Sequence, residues 1–262
     1  MGRRGGFDPR RFRSAAPYYV SGRLPYPSRL IRRVVDLCAV DGRCRVMDLG
    51  CGPGLLAVAF APFVREVVAI DPEPEMLRIA GERAAGAGVA LTLLEGSSYD
   101  LRPDLGRFRL VTIGRAFHWM DRAETLRHLD PMVDPEGAVV LFGDHHRDLP
   151  DNRWNREYEA LLDRYAPDAR SAPWHTPAWL RHEGVLLESP FDQLEAASVI
   201  ERRQTPVEVF VDRALSRSTT SPDRLGTKVD ALVGEVRLLM ARFARDGLVT
   251  EVVEYSALIA RR

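Results

Sequence analysis

The chain has 262 residues, of which 45% are hydrophobic and 28% are charged, and its 37 basic residues balance its 37 acidic residues. This composition excludes an intrinsically disordered chain and is typical of one folded domain with elaborations. The balance of charge excludes a strong overall field for nucleic acid or for an anionic membrane surface. We therefore expect a small-molecule partner, no nucleic acid and no membrane, and either a monomer or a homodimer.

The cellular setting follows from what the sequence lacks. No apolar run approaches the length of a membrane span, and the arginine-rich start has no apolar signal-peptide region. Cys38, Cys44 and Cys51 match neither a metal-site spacing nor a disulfide framework. We expect a cytoplasmic protein, and we interpret residues 1–13 as a solvated tail.

Hydrophobic periodicity predicts alternating helices and strands from Pro27 to residue 143. This alternation favours a parallel sheet with helices on both faces. In chain order the predicted elements are a helix from Pro27, a strand at Arg45–Leu49, a helix at Leu55–Val64, a strand at Glu66–Ile70, a helix at 73–85, strands at 89–94 and 108–114, a helix at 121–132 and a strand at 137–143.

After Phe142 the alternation stops, and residues 144–185 carry prolines, histidines and tryptophans in short helical pieces, which we interpret as an inserted cap. A strand-like stretch at 191–204, a helical region at 206–245 and a last strand at Val249–Ala260 follow. The closing strands complete a seven-stranded, mostly parallel Rossmann-like sheet. The predicted organisation is an N-terminal tail and covering segment at 1–33 and a single domain at 34–262, with cap insertions at about 144–190 and 206–246.

A glycine-rich turn joins the first strand to its helix, in the string VMDLGCGPG at 46–54. Glycines at positions 50, 52 and 54 permit tight backbone angles and let a ligand approach the main chain. Asp71, at the end of the second strand, stands where such folds hold the ribose hydroxyls of a nucleoside. The spacing G-x-G-x-G and the acidic Asp48 before it disfavour a pyrophosphate and favour a ligand with an ammonium group.

The strings VMDLGCGPG and VVAIDPEPEML (67–77) resemble those of class I S-adenosylmethionine-dependent methyltransferases of the ubiquinone/menaquinone C-methyltransferase and trans-aconitate methyltransferase kind. The strings LEGSSYDL at 94–101, GRAFHW at 114–119 and YYVSGRLPYP at 18–27 extend the resemblance. It implies that the chain uses S-adenosylmethionine, releases S-adenosylhomocysteine and folds as this family does. By position, the resemblance implies cofactor contacts from Tyr19, Arg23, Asp48, Gly50, Cys51, Gly52, Gly54, Asp71, Pro72, Met76, Ser98, Tyr99 and Arg115.

Methyl transfer from a sulfonium mainly requires positioning and exclusion of water. An oxygen or carbon acceptor often needs a base, and His118, after the fourth strand, is the candidate. It could instead hydrogen-bond the cap or pack on the cofactor. Trp119, His145, Trp154 and Arg217 are candidate acceptor contacts, with Trp174 and Trp179 considered beside them. The histidines at 145, 146, 175 and 182 match no standard metal site, so we predict no metal.

The sequence leaves other functions open. A nucleic-acid methyltransferase that modifies amino groups would carry [DNS]-P-P-[YFW] where this chain has Gly114 to Trp119, and a NAD-dependent oxidoreductase is disfavoured by Asp48. An S-adenosylmethionine-binding cyclase and a non-catalytic binding module remain alternatives to methylation of a small molecule, such as a carboxylate or a secondary metabolite.

Overall fold

The computed structural model describes residues 8–167 and 180–262. They fold around a seven-stranded sheet. The strands are β1 (Arg45–Leu49), β2 (Glu66–Asp71), β3 (Thr92–Glu95), β4 (Phe108–Gly114), β5 (Val133–His146), β6 (Gln193–Pro206) and β7 (Leu248–Arg261). Their order is β3-β2-β1-β4-β5-β7-β6, and β7 runs antiparallel to both of its neighbours while the other pairs are parallel. The predicted Rossmann-like, mostly parallel fold is confirmed.

Helices cover both faces of the sheet because strand side chains alternate between two apolar layers. On β1, Val46 joins one buried cluster with Leu30, whereas Met47 joins the opposite cluster with Leu126. The helices are α1 (Ala16–Gly22), α2 (Ser28–Leu37), α3 (Leu55–Phe60), α4 (Pro74–Gly86), α5 (Arg122–Leu129), α6 (Trp154–Tyr165), α7 (His182–Leu187), α8 (Val207–Leu215), α9 (Pro222–Leu225) and α10 (Val229–Ala241).

A third apolar cluster stands apart from the two sheet layers and forms the core of the cap, which we define as α6 and α8–α10. Its largest members are Trp154 and Tyr158 from α6 and Phe210 from α8, all with 1% or less of their surface exposed. Tyr18 of α1 packs against it, so the cap also contacts the N-terminal segment. Asn155 of α6 and Arg213 of α8 line the same cavity as Asp144 near the end of β5, so the cap lies over the carboxyl ends of the strands, at the edge where parallel sheets bind ligands.

Several elements differ from the predictions in their bounds or in their packing. β5 begins at Val133 and continues to His146, since residues 139–146 pair with β7. α7, predicted within the cap, instead buries Val185 and Leu186 in the sheet cluster beside Phe191. β3 begins only at Thr92, because the chain leaving α4 turns at Gly88 with a positive φ of 67°. No helix within 8–167 or 180–262 is long and apolar enough to cross a membrane.

Candidate functional site

The turn after β1 adopts backbone angles that favour glycine. Gly50, Gly52 and Gly54 have φ values of 69°, 52° and 75°, in the left-handed region. A Cβ on Gly50 would lie 2.7 Å from the Cβ of Ala116, whereas a Cβ on Gly52 would meet no atom within 4 Å. The turn is thus closely packed against Ala116 at Gly50, whereas the space beside Gly52 is open. A ligand can therefore reach the main chain of the turn at Gly52.

Asp71 links the end of β2 to this turn. Its Oδ2 accepts a hydrogen bond from the Gly52 amide at 2.8 Å, and its Oδ1 accepts one from the Glu73 amide at 3.0 Å. Burial raises the pKa of the Asp71 carboxyl to about 6, against the opposing effect of these two hydrogen bonds. Each oxygen retains acceptor capacity beyond its backbone partner, which a pair of vicinal hydroxyls could use.

Asp48 lies beneath the turn, and this position differs from the predicted contact with the cofactor. Only 1% of its surface is exposed. Its Oδ2 accepts from the Ala57 amide at 2.9 Å and its Oδ1 from the Thr112 hydroxyl at 2.9 Å. Burial raises the pKa of this carboxyl to about 7. Asp48 therefore braces the start of α3 against β4 and supports the turn from below.

We call the space above the turn the turn cavity, of about 120 Å³. Its wall includes seven predicted cofactor residues in addition to Asp71. They are Tyr19, Gly50, Gly52, Pro72, Met76, Ser98 and Arg115. The predicted contacts Cys51, Gly54 and Tyr99 are not on this wall; Gly54 instead packs against Ala80. At the far end, Asp100 closes the loop by accepting from the amide and hydroxyl of Ser97, and this turns Ser97 and Ser98 toward the cavity.

Asp8, Pro9, Arg11 and Phe12 also line the turn cavity, so the prediction of a solvated tail is wrong for these residues. Arg10 pairs with the buried Glu73 at 3.1 Å. Arg11 lies over the Trp119 ring at 4.6 Å, and Phe12 packs edge-on against the same ring at 5.8 Å. The sequence feature that could have indicated this contact is Phe12, an aromatic residue between Arg11 and Arg13. Residues 1–7 lie outside the described part of the chain.

A second, larger space of about 1040 Å³ lies between the strand ends and the cap, and we call it the cap cavity. Phe12, Tyr19, Arg115 and Trp119 line both cavities, so the two spaces adjoin across these four side chains. The two cavities are therefore neighbours at the carboxyl ends of the strands.

The cap cavity has several guanidinium groups on its wall. Arg115 pairs with Asp144, and although desolvation opposes it, this carboxylate raises the pKa of Arg115. Arg217 forms a two-pronged pair with Glu159. Arg23, predicted at the cofactor, lines the cap cavity and donates to the Ser216 hydroxyl at 3.0 Å. Burial, with Arg115 and Arg217 nearby, lowers the pKa of Arg23.

His118 follows β4 in a single 3-10 turn and lines the cap cavity. Burial lowers its pKa to about 4, and the nearby His182, Arg23, Arg122 and Arg11 add to the effect. The imidazole is therefore neutral near pH 7 and has a lone pair, as a base requires.

The other predicted acceptor contacts divide between cavity and core. Trp119, His145 and Arg217 line the cap cavity. Trp154 does not: it is 1% exposed, packs in the cap core and donates its indole N–H to the Thr250 carbonyl at 3.1 Å, which corrects its predicted role. Trp174, Trp179 and His175 lie outside the described residues. Across 8–167 and 180–262, no group of three His, Cys, Asp or Glu side chains could hold a metal ion.

Comparisons with known proteins agree with this architecture. A family model described as a methyltransferase domain matches residues 46–137. An uncharacterized methyltransferase of Mycobacterium tuberculosis is 29% identical over 234 residues, covering 88% of this chain and 85% of that protein. A ubiquinone biosynthesis O-methyltransferase of Azorhizobium caulinodans is 32% identical over 98 residues, covering 37% of this chain and 39% of the relative.

Solved structures share the fold. YjhP of Escherichia coli aligns with a TM-score of 0.56 and 16% identity, covering 97% of this chain and 100% of its own. The [4+2]-cyclase SpnF aligns with a TM-score of 0.52 and 19% identity, covering 92% and 84%. The sheet order, the glycine turn and the matched domain define a Rossmann-like methyltransferase domain. Together, the matched domain and these relatives support a class I S-adenosylmethionine-dependent methyltransferase.

Proposed function

We propose that this enzyme methylates an oxygen or carbon atom of a small molecule, such as a carboxylate or a secondary metabolite. The observation that carries the proposal is the adjoining pair of cavities. The turn cavity presents the Asp71 carboxylate and the open face of Gly52, and the cap cavity of about 1040 Å³ is large enough for a metabolite. Both cavities belong to the described part of the chain.

The lining of the turn cavity fits S-adenosylmethionine. Asp71 would accept hydrogen bonds from the ribose hydroxyls, with Gly50 and Gly52 beneath the methionine part and Ser98 beside the adenine. Pro72 and Met76 supply apolar surface for the nucleoside. When bound, the cofactor supplies an electrophilic methyl group on a sulfonium. Tyr19 and Arg115, which line both cavities, stand where the methionine part would face the acceptor.

The polypeptide would then position the acceptor, exclude water and accept a proton. His118 is the proposed base, because it lines the cap cavity and its imidazole is neutral near pH 7, although its lowered pKa of about 4 weakens it as a proton acceptor. Arg23 and Arg217 are cations on the same wall and favour an acceptor with an anionic group. Trp119 and His145 would contact the acceptor as well.

Calorimetry with S-adenosylmethionine, S-adenosylhomocysteine and NAD tests the cofactor. Binding of the first two without NAD is expected, and binding of NAD alone would contradict the proposal. Transfer of a labelled methyl group to a panel of phenols, including catechol and 4-nitrocatechol, enols and carboxylic acids then tests the reaction. A protein that binds the cofactor but converts a substrate without forming S-adenosylhomocysteine would be a cyclase, and one that converts none would be a binding module.

A further inference from the structure

His146 occupies the last position of β5, on the wall of the cap cavity. Its Nε2 lies 2.8 Å from Oε2 of Glu251, a carboxylate on β7 with no exposed surface. Thr205 of β6 donates its hydroxyl hydrogen to the other oxygen, and Arg213 of α8 donates to both. Three strands and a cap helix thus meet at one buried carboxylate behind a histidine, and the function proposed above uses none of these four residues.

The contacts around Glu251 determine the protonation state of its carboxyl group. Desolvation opposes its charge, but hydrogen bonds from His146, Arg213 and Thr205 lower its pKa to about 2, so it is ionised. The Arg213 nitrogens lie 2.9 and 3.2 Å from the two carboxylate oxygens. The Arg213 Nε also donates to the Gly22 carbonyl at 3.3 Å, which ties the cluster to α1. Glu251 is therefore a fixed hydrogen-bond acceptor.

The ionised carboxylate fixes the tautomer of His146. A carboxylate only accepts hydrogen bonds, so the Nε2 at 2.8 Å must carry the hydrogen. Arg213 lies farther from Nε2, at 3.4 Å, and its N–H groups already serve Glu251. The lone pair of the neutral ring then lies on Nδ1, which makes no hydrogen bond with any residue in 8–167 or 180–262. Trp154 packs edge-on against the ring at 4.8 Å and helps to hold it.

We propose that His146 is a second proton-accepting residue of the acceptor site, with Glu251 as its positioning residue; this rests on the proposed methyl transfer. The substrate class is a molecule with a hydroxyl group. The hydroxyl proton moves to Nδ1 of His146 while the oxygen forms its bond to the methyl carbon. The carbon–sulfur bond breaks with its electron pair left on sulfur, which gives the thioether product, and the imidazolium later releases its proton to water.

His146 differs from His118 in the charges around it. Cations surround His118 and oppose its protonation, as its lowered pKa shows. The carboxylate of Glu251 lies beside Nε2 of His146. It stabilises the imidazolium that proton transfer creates, as the carboxylate does in the histidine–carboxylate pairs of hydrolases. Within 8–167 and 180–262, the charged groups in contact with the ring are Arg213 of α8 and Glu251 of β7.

The first test is nitrogen NMR of protein labelled in its histidines, which needs no acceptor. In the neutral form of the ring, which is reached by raising the pH, we expect hydrogen on Nε2 of His146 and none on Nδ1, with His146→Gln used for assignment. Glu251→Gln should remove this fixed tautomer. Glu254→Gln is the matched control, since Glu254 lies on the same strand and pairs instead with Arg147 and His145. Hydrogen on Nδ1 of the neutral ring in the parent, or an unchanged tautomer in Glu251→Gln, would overturn the proposal.

The second test measures methyl transfer to catechol, which is un-ionised at neutral pH, and to 4-nitrocatechol, which is ionised. His146→Gln leaves the Glu251–Arg213 pair in place, so the fold should persist. We expect kcat for catechol to fall by about 100-fold or more, and kcat for 4-nitrocatechol to fall far less, with the Kd of S-adenosylhomocysteine unchanged. Equal losses for both probes, or no loss, would overturn the proposal. If the parent methylates no panel member, the proposed function itself fails, and the NMR result still decides whether Nδ1 can accept a proton.

Discussion

Replacing Asp71 by alanine is expected to weaken the binding of S-adenosylhomocysteine about 10- to 150-fold. The estimate assumes that the charged carboxylate contributes about 1.5 to 3 kcal/mol through its hydrogen bonds to the ribose hydroxyls, at about 1.4 kcal/mol for each tenfold change in Kd. Asp71→Asn retains one acceptor oxygen and should fall between the parent and the alanine variant. Part of the loss arises because the Gly52 amide, 2.8 Å from Oδ2, also loses its partner.

The pH dependence of binding gives a sharper test of the same residue. Burial raises the pKa of Asp71 to about 6, and the ionised form is the better acceptor for hydroxyl groups. The affinity of the parent should therefore be full above that pKa and fall as the pH decreases through it, whereas Asp71→Ala should lack this slope. Isothermal calorimetry between about pH 5 and pH 8 measures both.

The control for the Asp71 experiment is Asp36→Ala, which removes an exposed carboxylate of α2 that does not line the turn cavity. It should bind S-adenosylhomocysteine as the parent does at each pH. If Asp71→Ala binds with the parent's affinity, or keeps the parent's pH slope, Asp71 does not hold the ribose and the placement of the nucleoside in the turn cavity is wrong.

Four further predictions concern the turn, the Asp48 carboxylate beneath it and the proposed base. Gly50→Ala should lower the free energy of unfolding by about 1 to 3 kcal/mol in urea titrations, because its Cβ would lie 2.7 Å from that of Ala116 at a positive φ. Gly52→Ala meets no such atom, so it should lose less stability but bind S-adenosylhomocysteine more weakly in calorimetry, and unaltered binding would contradict the proposed cofactor position. Burial raises the folded-state pKa of Asp48 to about 7 from an ordinary 3.8. The contribution of Asp48 to stability is therefore full below the lower value and is lost as the pH rises through the higher one, and urea unfolding of Asp48→Asn should lack this decline. His118→Ala should keep the Kd of S-adenosylhomocysteine and lower kcat for any acceptor that needs deprotonation; because the pKa of His118 is about 4, the loss should be the same at all pH values well above it, and an unchanged kcat would exclude the base role.

Much of the fold could be predicted because its central part is local. β1 was predicted at Arg45–Leu49 and β4 at 108–114, and both are observed at those bounds, since each is a short apolar run between turn residues. The start and end of β5 could not be predicted in this way. Val133 pairs with Phe108, and His146 pairs with Val253, so partners remote in sequence extend the strand in both directions.

The candidate site divides in a similar way. Gly50, Gly52 and Asp71 are recognisable because their motif spacing reflects one strand, one turn and the next strand. The burial of Asp48 under that turn was not predicted, because its partner Thr112 lies on another strand, 64 positions along the chain. The burial of Trp154 in the cap core was not predicted either, because an aromatic residue in a helix has the same sequence pattern whether it faces a cavity or a core.

The sequence by itself determined the class of enzyme and the residues that surround the turn, since local glycine conformations and alternating periodicity encode a strand-turn-helix unit directly. Only the tertiary structure decided what covers that unit. Phe12 reaches Trp119 on the cavity wall, and Glu251 reaches His146 across 105 positions of sequence. The second contact arises because β7 inserts between β5 and β6 and so places Glu251 beside the end of β5. Such long-range pairing minimises buried unpaired charge and exposed apolar surface across the whole molecule, and no local pattern records it.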